Sequence, residues 1–142
     1  MDSATFTLKI LTPERAFFEG EASEVIFSTP EGRIGAMSGH APMIASVSEG
    51  IIEILVGGEW KTSATGQGFC EITYDLAEFF VDTAEWAEEI DAIRAREALE
   101  RAELRIRSNM NRMEFLRTQA AMSRAIARLK AIETSGSASQ RR

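Results

Sequence analysis

Thr83-Ala84-Glu85-Trp86-Ala87-Glu88-Glu89-Ile90-Asp91-Ala92-Ile93-Arg94-Ala95 is the stretch at which the chain changes character. Before it, short alternations of apolar and polar residues are broken by Gly-rich turns; after it, the apolar period lengthens to 3.6 almost to the end. Thr83 suits a helix N-cap, and the acidic run Glu85, Glu88, Glu89, Asp91 suits the positive end of a helix dipole. The sequence therefore places the start of a first helix at about Ala84, where a β part meets an α part.

Upstream, Thr5 to Ile10 alternates in the manner of a half-buried strand, and Thr12-Pro13-Glu14-Arg15 breaks it. Further short strands are predicted at Phe17–Gly20, Ala22–Ser28, Arg33–Met37, Met43–Val47, Gly50–Val56, Glu59–Thr62, Gly68–Tyr74 and Glu78–Val81. Turn residues separate them, among them Pro30-Glu31-Gly32 and the two-residue hairpin signature Gly57-Gly58. Nine or ten short strands at close spacing define a sandwich or flattened barrel.

Downstream, the first helix is expected to run to about Arg107, with Ile90, Ala98, Ala102 and Ile106 along one side. Ser108-Asn109-Met110-Asn111 is room only for an antiparallel turn. A second helix follows from about Arg112 to Ile132, with Phe115, Met122, Ile126 and Leu129 as its apolar stripe and Ala125 beside it. The fold class is thus α+β: an N-terminal β-sandwich of about ten short strands over residues 1–83, then an antiparallel two-helix hairpin over 84–133. A Ser/Gly-rich tail, 134–142, is read as flexible.

The hairpin holds eleven alanines between residues 84 and 133 and few large apolar side chains. Burying Ala in place of Leu or Ile forgoes roughly 1–2 kcal/mol per position. Each helix forms readily, yet the contact between them is shallow, as suits either a peripheral hairpin or one that separates.

Charge is unevenly spread. Residues 1–70 sum to −5, residues 71–100 to −8 and residues 101–142 to +7, within a total of −6. A basic arm on an acidic body implies an acidic partner, and with a pI near 4.9 protein is a better candidate than nucleic acid. No apolar run approaches the roughly 18 residues of a membrane span, and the N-terminus carries no export signal, so a cytoplasmic soluble chain is expected. Cys70 is the sole cysteine, which excludes an internal disulfide.

Catalysis finds little support. His40 is the only histidine and lies in a Gly-His-Ala-Pro loop with no nucleophile beside it. There is no Walker loop, no dinucleotide fingerprint and no metal-ligand cluster, so no catalytic and no metal residue is assigned. A ligand-binding or enzymatic sandwich would need convergent polar groups, and the strands show none. The arginines are more informative. Arg94 and Arg101 stand two turns apart on the first helix, Arg124 and Arg128 one turn apart on the second. An antiparallel hairpin brings these ends together near Asp91, where guanidinium forks suit phosphate oxygens. Solvated ion pairs, such as Glu97 with Arg101, are the competing reading.

Thr12-Pro13-Glu14, Glu19-Gly20-Glu21, Glu31-Gly32-Arg33-Ile34-Gly35, Gly39-His40-Ala41-Pro42 and Gly68-Phe69-Cys70-Glu71-Ile72, in that order, resemble the ε subunit of bacterial F-type ATP synthases. Asp82-Thr83-Ala84-Glu85 and Ile90-Asp91-x-x-Arg94-Ala95 continue the match, which spans Thr5 to about Glu133. The resemblance implies a non-catalytic subunit of the rotary central stalk. Its sandwich would dock to the γ subunit and the c-subunit ring. Its hairpin would fold against the sandwich or extend toward the α and β subunits of the catalytic head, where Arg112, Arg117, Arg124, Arg128 and Lys130 would meet acidic β segments and inhibit ATP hydrolysis. It further implies that ATP, alone or with Mg2+, is a regulatory ligand and not a required cofactor. Residue by residue, the ATP contacts fall on Glu85, Ile90, Asp91, Arg94, Ala95, Arg101, Arg124 and Arg128. The implied location is the cytoplasmic face of the bacterial cell membrane, peripheral, held there through the complex, with a proton or sodium ion as the coupling ion. The alternative is a structural adaptor whose hairpin stays packed and senses no nucleotide.

Overall fold

The computed structural model describes residues 4–140. Ten strands come first: β1 (Phe6–Leu11), β2 (Ala16–Ala22), β3 (Glu24–Thr29), β4 (Gly32–Met37), β5 (Met43–Val47), β6 (Gly50–Val56), β7 (Glu59–Thr65), β8 (Gly68–Ile72), β9 (Leu76–Val81) and β10 (Ala84–Trp86). A single 3-10 turn, Ala87–Glu89, leads to α1 (Ala92–Ile106) and α2 (Arg112–Gln140). The strands form two five-stranded sheets, ordered β2-β1-β9-β8-β5 and β10-β7-β6-β3-β4. This is the predicted sandwich followed by a helical hairpin.

The alternation read from the sequence is what fills the space between the sheets. Phe6, Leu8 and Ile10 point inward from β1, Phe79 and Val81 from β9, and Val25 and Phe27 from β3. Phe27 meets Phe79 edge-on, with ring centroids 5.0 Å apart. Each such ring removes on the order of 2–3 kcal/mol worth of apolar surface from water. Gly57 and Gly58 take φ of 58° and 80°, closing the β6–β7 hairpin with Val56 opposite Glu59. Along β6, Ile51, Ile52, Glu53 and Ile54 are all buried, because the second sheet is covered twice: by the first sheet on one side and by α2 on the other. Glu53 is tolerated there through Arg33, whose Nη2 lies 3.2 Å from its Oε2.

Three expectations at the junction and in the hairpin are corrected. Thr83 does not cap a helix and Ala84 does not start one: Ala84, Glu85 and Trp86 pair antiparallel with Thr65, Ala64 and Ser63 of β7. Trp86 stacks on Phe17 with centroids 4.4 Å apart, meets Phe18 edge-on and takes Lys61 over its face. That non-local packing outweighs the local helix signal. The helix begins eight residues later, at Ala92, with Asp91 as its N-cap: its Oδ1 accepts from the Arg94 backbone N–H at 3.1 Å.

At the other end, α2 continues to Gln140 and not to Ile132, so Thr134–Gln140 are helical where a flexible tail was expected; Arg141 and Arg142 lie outside the described residues. No proline interrupts the run, and Gly136 lowers helix propensity by only about 1 kcal/mol. The buried face of α2 also differs. Thr118, Ala125, Ala127 and Ala131 are buried, whereas Phe115, Leu116 and Ile126 are 39%, 46% and 48% exposed. Ala131 packs with Ile51, Ala64 and Ala87 beneath the hairpin, and Ile90 closes over that cluster.

Candidate functional site

Along the Thr83–Ala95 junction, β10, the 3-10 turn and α2 meet. Glu85 stands on β10 opposite Ala64, and its Oε1 accepts from Arg128 Nε of α2 in a direct ion pair. Beside the pair opens a cleft of about 250 Å³ between the sandwich and α2. Arg124 and Arg128 line it from the helix, Asp82 and Glu85 from the β9–β10 segment, Arg15 and Glu49 from sandwich turns. Glu49 carries a raised pKa: burial disfavours its charge first, the Arg124 cation partly offsets this, and the nearby Asp82 anion adds to it. Arg124 thus lies within electrostatic range of Glu49, at the point where the sandwich's acidic turns face the basic helix.

Of the eight residues the resemblance assigns to ATP, Glu85, Arg124 and Arg128 share this cleft. Asp91 and Arg94 form a separate local unit at the start of α1, with Oδ2 and Nε 3.8 Å apart and both side chains more than half exposed. Ile90 is half-buried and Ala95 buried, so their apolar side chains hold the helix start against the molecule. The Ile90-Asp91-x-x-Arg94-Ala95 motif therefore has an architectural function in this conformation, since its carboxylate caps α1. Arg101 lines a different groove, near the hairpin turn, together with Arg105 and Arg117. Arg112 and Lys130 are exposed on α2. The four guanidinium groups do not line one common cleft.

Sequence reasoning missed Glu49, Asp82 and Arg15 as neighbours of Arg124 and Arg128. They come from turns separated by tens of residues, and no local pattern announces them. Gly66 leaves the space: a Cβ there would meet Asp82 Oδ1 at 1.6 Å, so the carboxylate lies directly over the glycine. His40 is a turn residue, its Nδ1 2.7 Å from the Ala41 carbonyl oxygen. Cys70 is fully buried and burial pushes its thiol up to about 11, which makes it inert.

A second surface is set by register. On the outer side of the first sheet, Leu11 lies opposite Phe80, and Phe80 opposite Phe69. The two rings stack with centroids 5.0 Å apart, and Phe69 is 51% exposed. With Pro13 they line an apolar groove of about 430 Å³. The next row across the same face is charged: Glu71 opposite Glu78, Glu78 in register with Lys9, and Lys9 opposite Glu19.

A two-sheet sandwich carries on one side an arginine-bearing helical hairpin and leaves an apolar strip open on the outer face of its first sheet. Residues 5–87 match the family described as ATP synthase, Delta/Epsilon chain, beta-sandwich domain, and residues 88–133 match its long alpha-helix domain. The chain belongs to the ATP synthase ε chain family, whose members are non-catalytic subunits of the central stalk. It is similar to the ATP synthase epsilon chain of Ruminiclostridium cellulolyticum, 43% identical over 128 residues that cover 90% of this chain and 96% of that one. It is also similar to that of Caldanaerobacter subterraneus subsp. tengcongensis, 39% identical over 89% and 92% of the two chains. In fold it is similar to a chain in the Euglena gracilis mitochondrial ATP synthase, OSCP/F1/c-ring, with a TM-score of 0.80 at 19% identity, covering 95% of this chain and 84% of that one. Among the described residues no helix is long and apolar enough to cross a membrane.

Proposed function

We propose that this chain couples rotation of the c-subunit ring to the catalytic head through the sandwich, and restrains ATP hydrolysis by releasing its hairpin toward the α and β subunits. The observation that carries this reading is the inverted hydrophobicity of the hairpin. It buries alanines, Ala95 and Ala102 on α1 and Ala125, Ala127 and Ala131 on α2, while Ile93, Leu104, Met113, Phe115, Leu116 and Ile126 remain 39–66% exposed. Large apolar side chains are held in water at a cost that a second docking partner relieves. A permanently packed hairpin would have no use for this arrangement, which favours release over the fixed adaptor.

The sandwich's part rests on the Leu11–Phe80–Phe69 row, an apolar strip with an acidic margin, which suits a protein surface of mixed apolar and basic character; we assign it to the γ subunit. Guanidinium groups on α2, Arg112, Arg117, Arg124 and Arg128, together with Lys130, are the contacts to acidic β segments. ATP holds the hairpin docked in this reading by substituting for the Glu85–Arg128 pair and drawing in Arg94. This places the subunit peripherally, on the cytoplasmic face of the membrane, through the complex alone. Calorimetric titration of the isolated chain with ATP, beside an Arg94→Ala/Arg128→Ala variant, tests the nucleotide element. Saturable binding lost in the variant supports it; absence of heat up to millimolar ATP removes it and leaves the coupling role standing.

A further inference from the structure

Asp82 lines three cavities at once: the cleft beside the Glu85–Arg128 pair, a polar groove of about 400 Å³ against the middle of α2, and the apolar groove on the outer face of the first sheet. Glu49 and Arg124 stand with it in the first two. Among the described residues lining the third, Asp82 is the one charged side chain, set at the end of the Leu11–Phe80–Phe69 row.

The chain around Asp82 fixes its place. The Gly66 N–H donates to the Thr83 carbonyl oxygen at 2.9 Å, and the Asp82 N–H to the Gln67 carbonyl oxygen at 3.1 Å. The carboxylate lies over Gly66, in space that any larger residue there would take, and Thr83 Oγ1 approaches its Oδ1 at 3.5 Å. Across the seam, Arg124 closes no direct ion pair among the described residues, whereas Arg33, Arg94 and Arg128 each do. Burial raises the Glu49 pKa, Arg124 opposes the rise and Asp82 adds to it, so the guanidinium and the second carboxylate both lie within electrostatic range of Glu49. Arg124 is thus drawn to the sandwich by an anionic corner, not by a closed pair.

We infer that Asp82 couples the open sheet face to the hairpin: a basic side chain of the partner seated on the Leu11–Phe80–Phe69 row takes the Asp82 carboxylate, and Arg124 loses an anion that draws α2 to the sandwich. This rests on the assignment of that row to the γ subunit, and it supplies that contact with a means of loosening the hairpin. An apolar groove ending in a single carboxylate fits an apolar segment that ends in lysine or arginine. A cation arriving there acts twice, because it neutralises Asp82 and repels Arg124 across the same carboxylate. Asp82 and Arg124 are both exposed, so the effect is modest. A modest effect suffices, since buried alanines hold α2 down.

The full chain carrying Ala131→Cys reports on the seam. Position 131 is fully buried, so a maleimide reaches a thiol there only when α2 has left, and Cys70, also fully buried, stays silent. Asp82→Asn is expected to raise the labelling rate about two- to fivefold, and not to raise it further in an Arg124→Gln background. Saturating γ subunit raises the rate by a similar factor in the parent chain and leaves the Asp82→Asn chain unchanged. A full Asp82→Asn effect in the Arg124→Gln background, or a γ effect that survives Asp82→Asn, overturns the inference. So does γ that leaves labelling unchanged or slows it while Phe69 and Phe80 gain protection from hydrogen exchange, an outcome that leaves the docking face standing. Addition of γ with no protection at Phe69 and Phe80 removes the docking face itself, and the inference with it.

Discussion

Enlarging Ala131 is expected to release the hairpin without unfolding the sandwich. Ala131 is fully buried against Ile51, Ala64 and Ala87, and Ala127, one turn earlier, faces the same side at 6% exposure. A buried alanine methyl contributes about 0.8 kcal/mol, so the two together hold α2 down with only about 2 kcal/mol of apolar burial. Ala131→Leu adds three carbon atoms where there is no free space, at a cost of about 1–3 kcal/mol. That is comparable to the apolar term itself and lowers the docked-to-released ratio by about 5- to 150-fold. Hydrogen exchange followed by mass spectrometry on the isolated chain reads the outcome by segment. Peptides from α2 are expected to exchange faster while those from β1 and β9 keep their protection. Loss of protection in both together, or in neither, would refute the reasoning, since the first makes the hairpin part of the sandwich's cooperative unit and the second means Ala131 does not bear on docking.

Other perturbations separate the parts. Gly68→Ala places a Cβ 1.8 Å from the Phe80 carbonyl oxygen, so β8 and β9 must part; a fall in Tm of well over 5 °C by calorimetry is expected, and a fall under 2 °C would contradict the packing. Glu49 has a folded pKa above its ordinary value of 4.5, so the folded chain binds the proton more tightly than the unfolded one. Stability therefore falls as pH rises from 4.5 through the folded pKa and then levels; Glu49→Gln flattens that slope and is more stable than the wild type at neutral pH, as urea titration across pH 4–7 will read. Phe69→Glu puts a charge into the apolar row on the open sheet face, and is expected to leave Tm within about 2 °C while abolishing copurification with the γ subunit; retained copurification would move that interface elsewhere.

What was legible in the sequence followed from local periodicity. The alternation Phe6, Leu8, Ile10 defined β1 and its buried face, and Gly57-Gly58 defined a hairpin because φ > 0 at both positions favours glycine. What was not legible depended on residues far apart. Trp86 reads as helix until Phe17, 69 positions earlier, is known to stack on it and hold Ala84–Trp86 as a strand. The buried face of α2 was misread for a related reason: side-chain size pointed to Phe115 and Ile126, but a hairpin close to a sheet buries its smallest residues. At the candidate site the arginines were visible as a spacing, whereas Glu49, Asp82 and Arg15 were not. The separation of Arg101 from Arg124 and Arg128 into different cavities likewise needed the packed hairpin to be seen.

In the proposed function the hairpin must leave the sandwich to inhibit. Ala64→Cys with Ala131→Cys places two thiols in one buried cluster across that contact, and buried Cys70, with its thiol pushed up to about 11, does not compete for them. The measurement is ATP hydrolysis by the complex reconstituted with this variant, oxidised and then reduced. Fast hydrolysis is expected with the disulfide closed, and restored inhibition once it is reduced. Equal inhibition in both states would show that a docked hairpin inhibits as well as a free one, and would contradict that function.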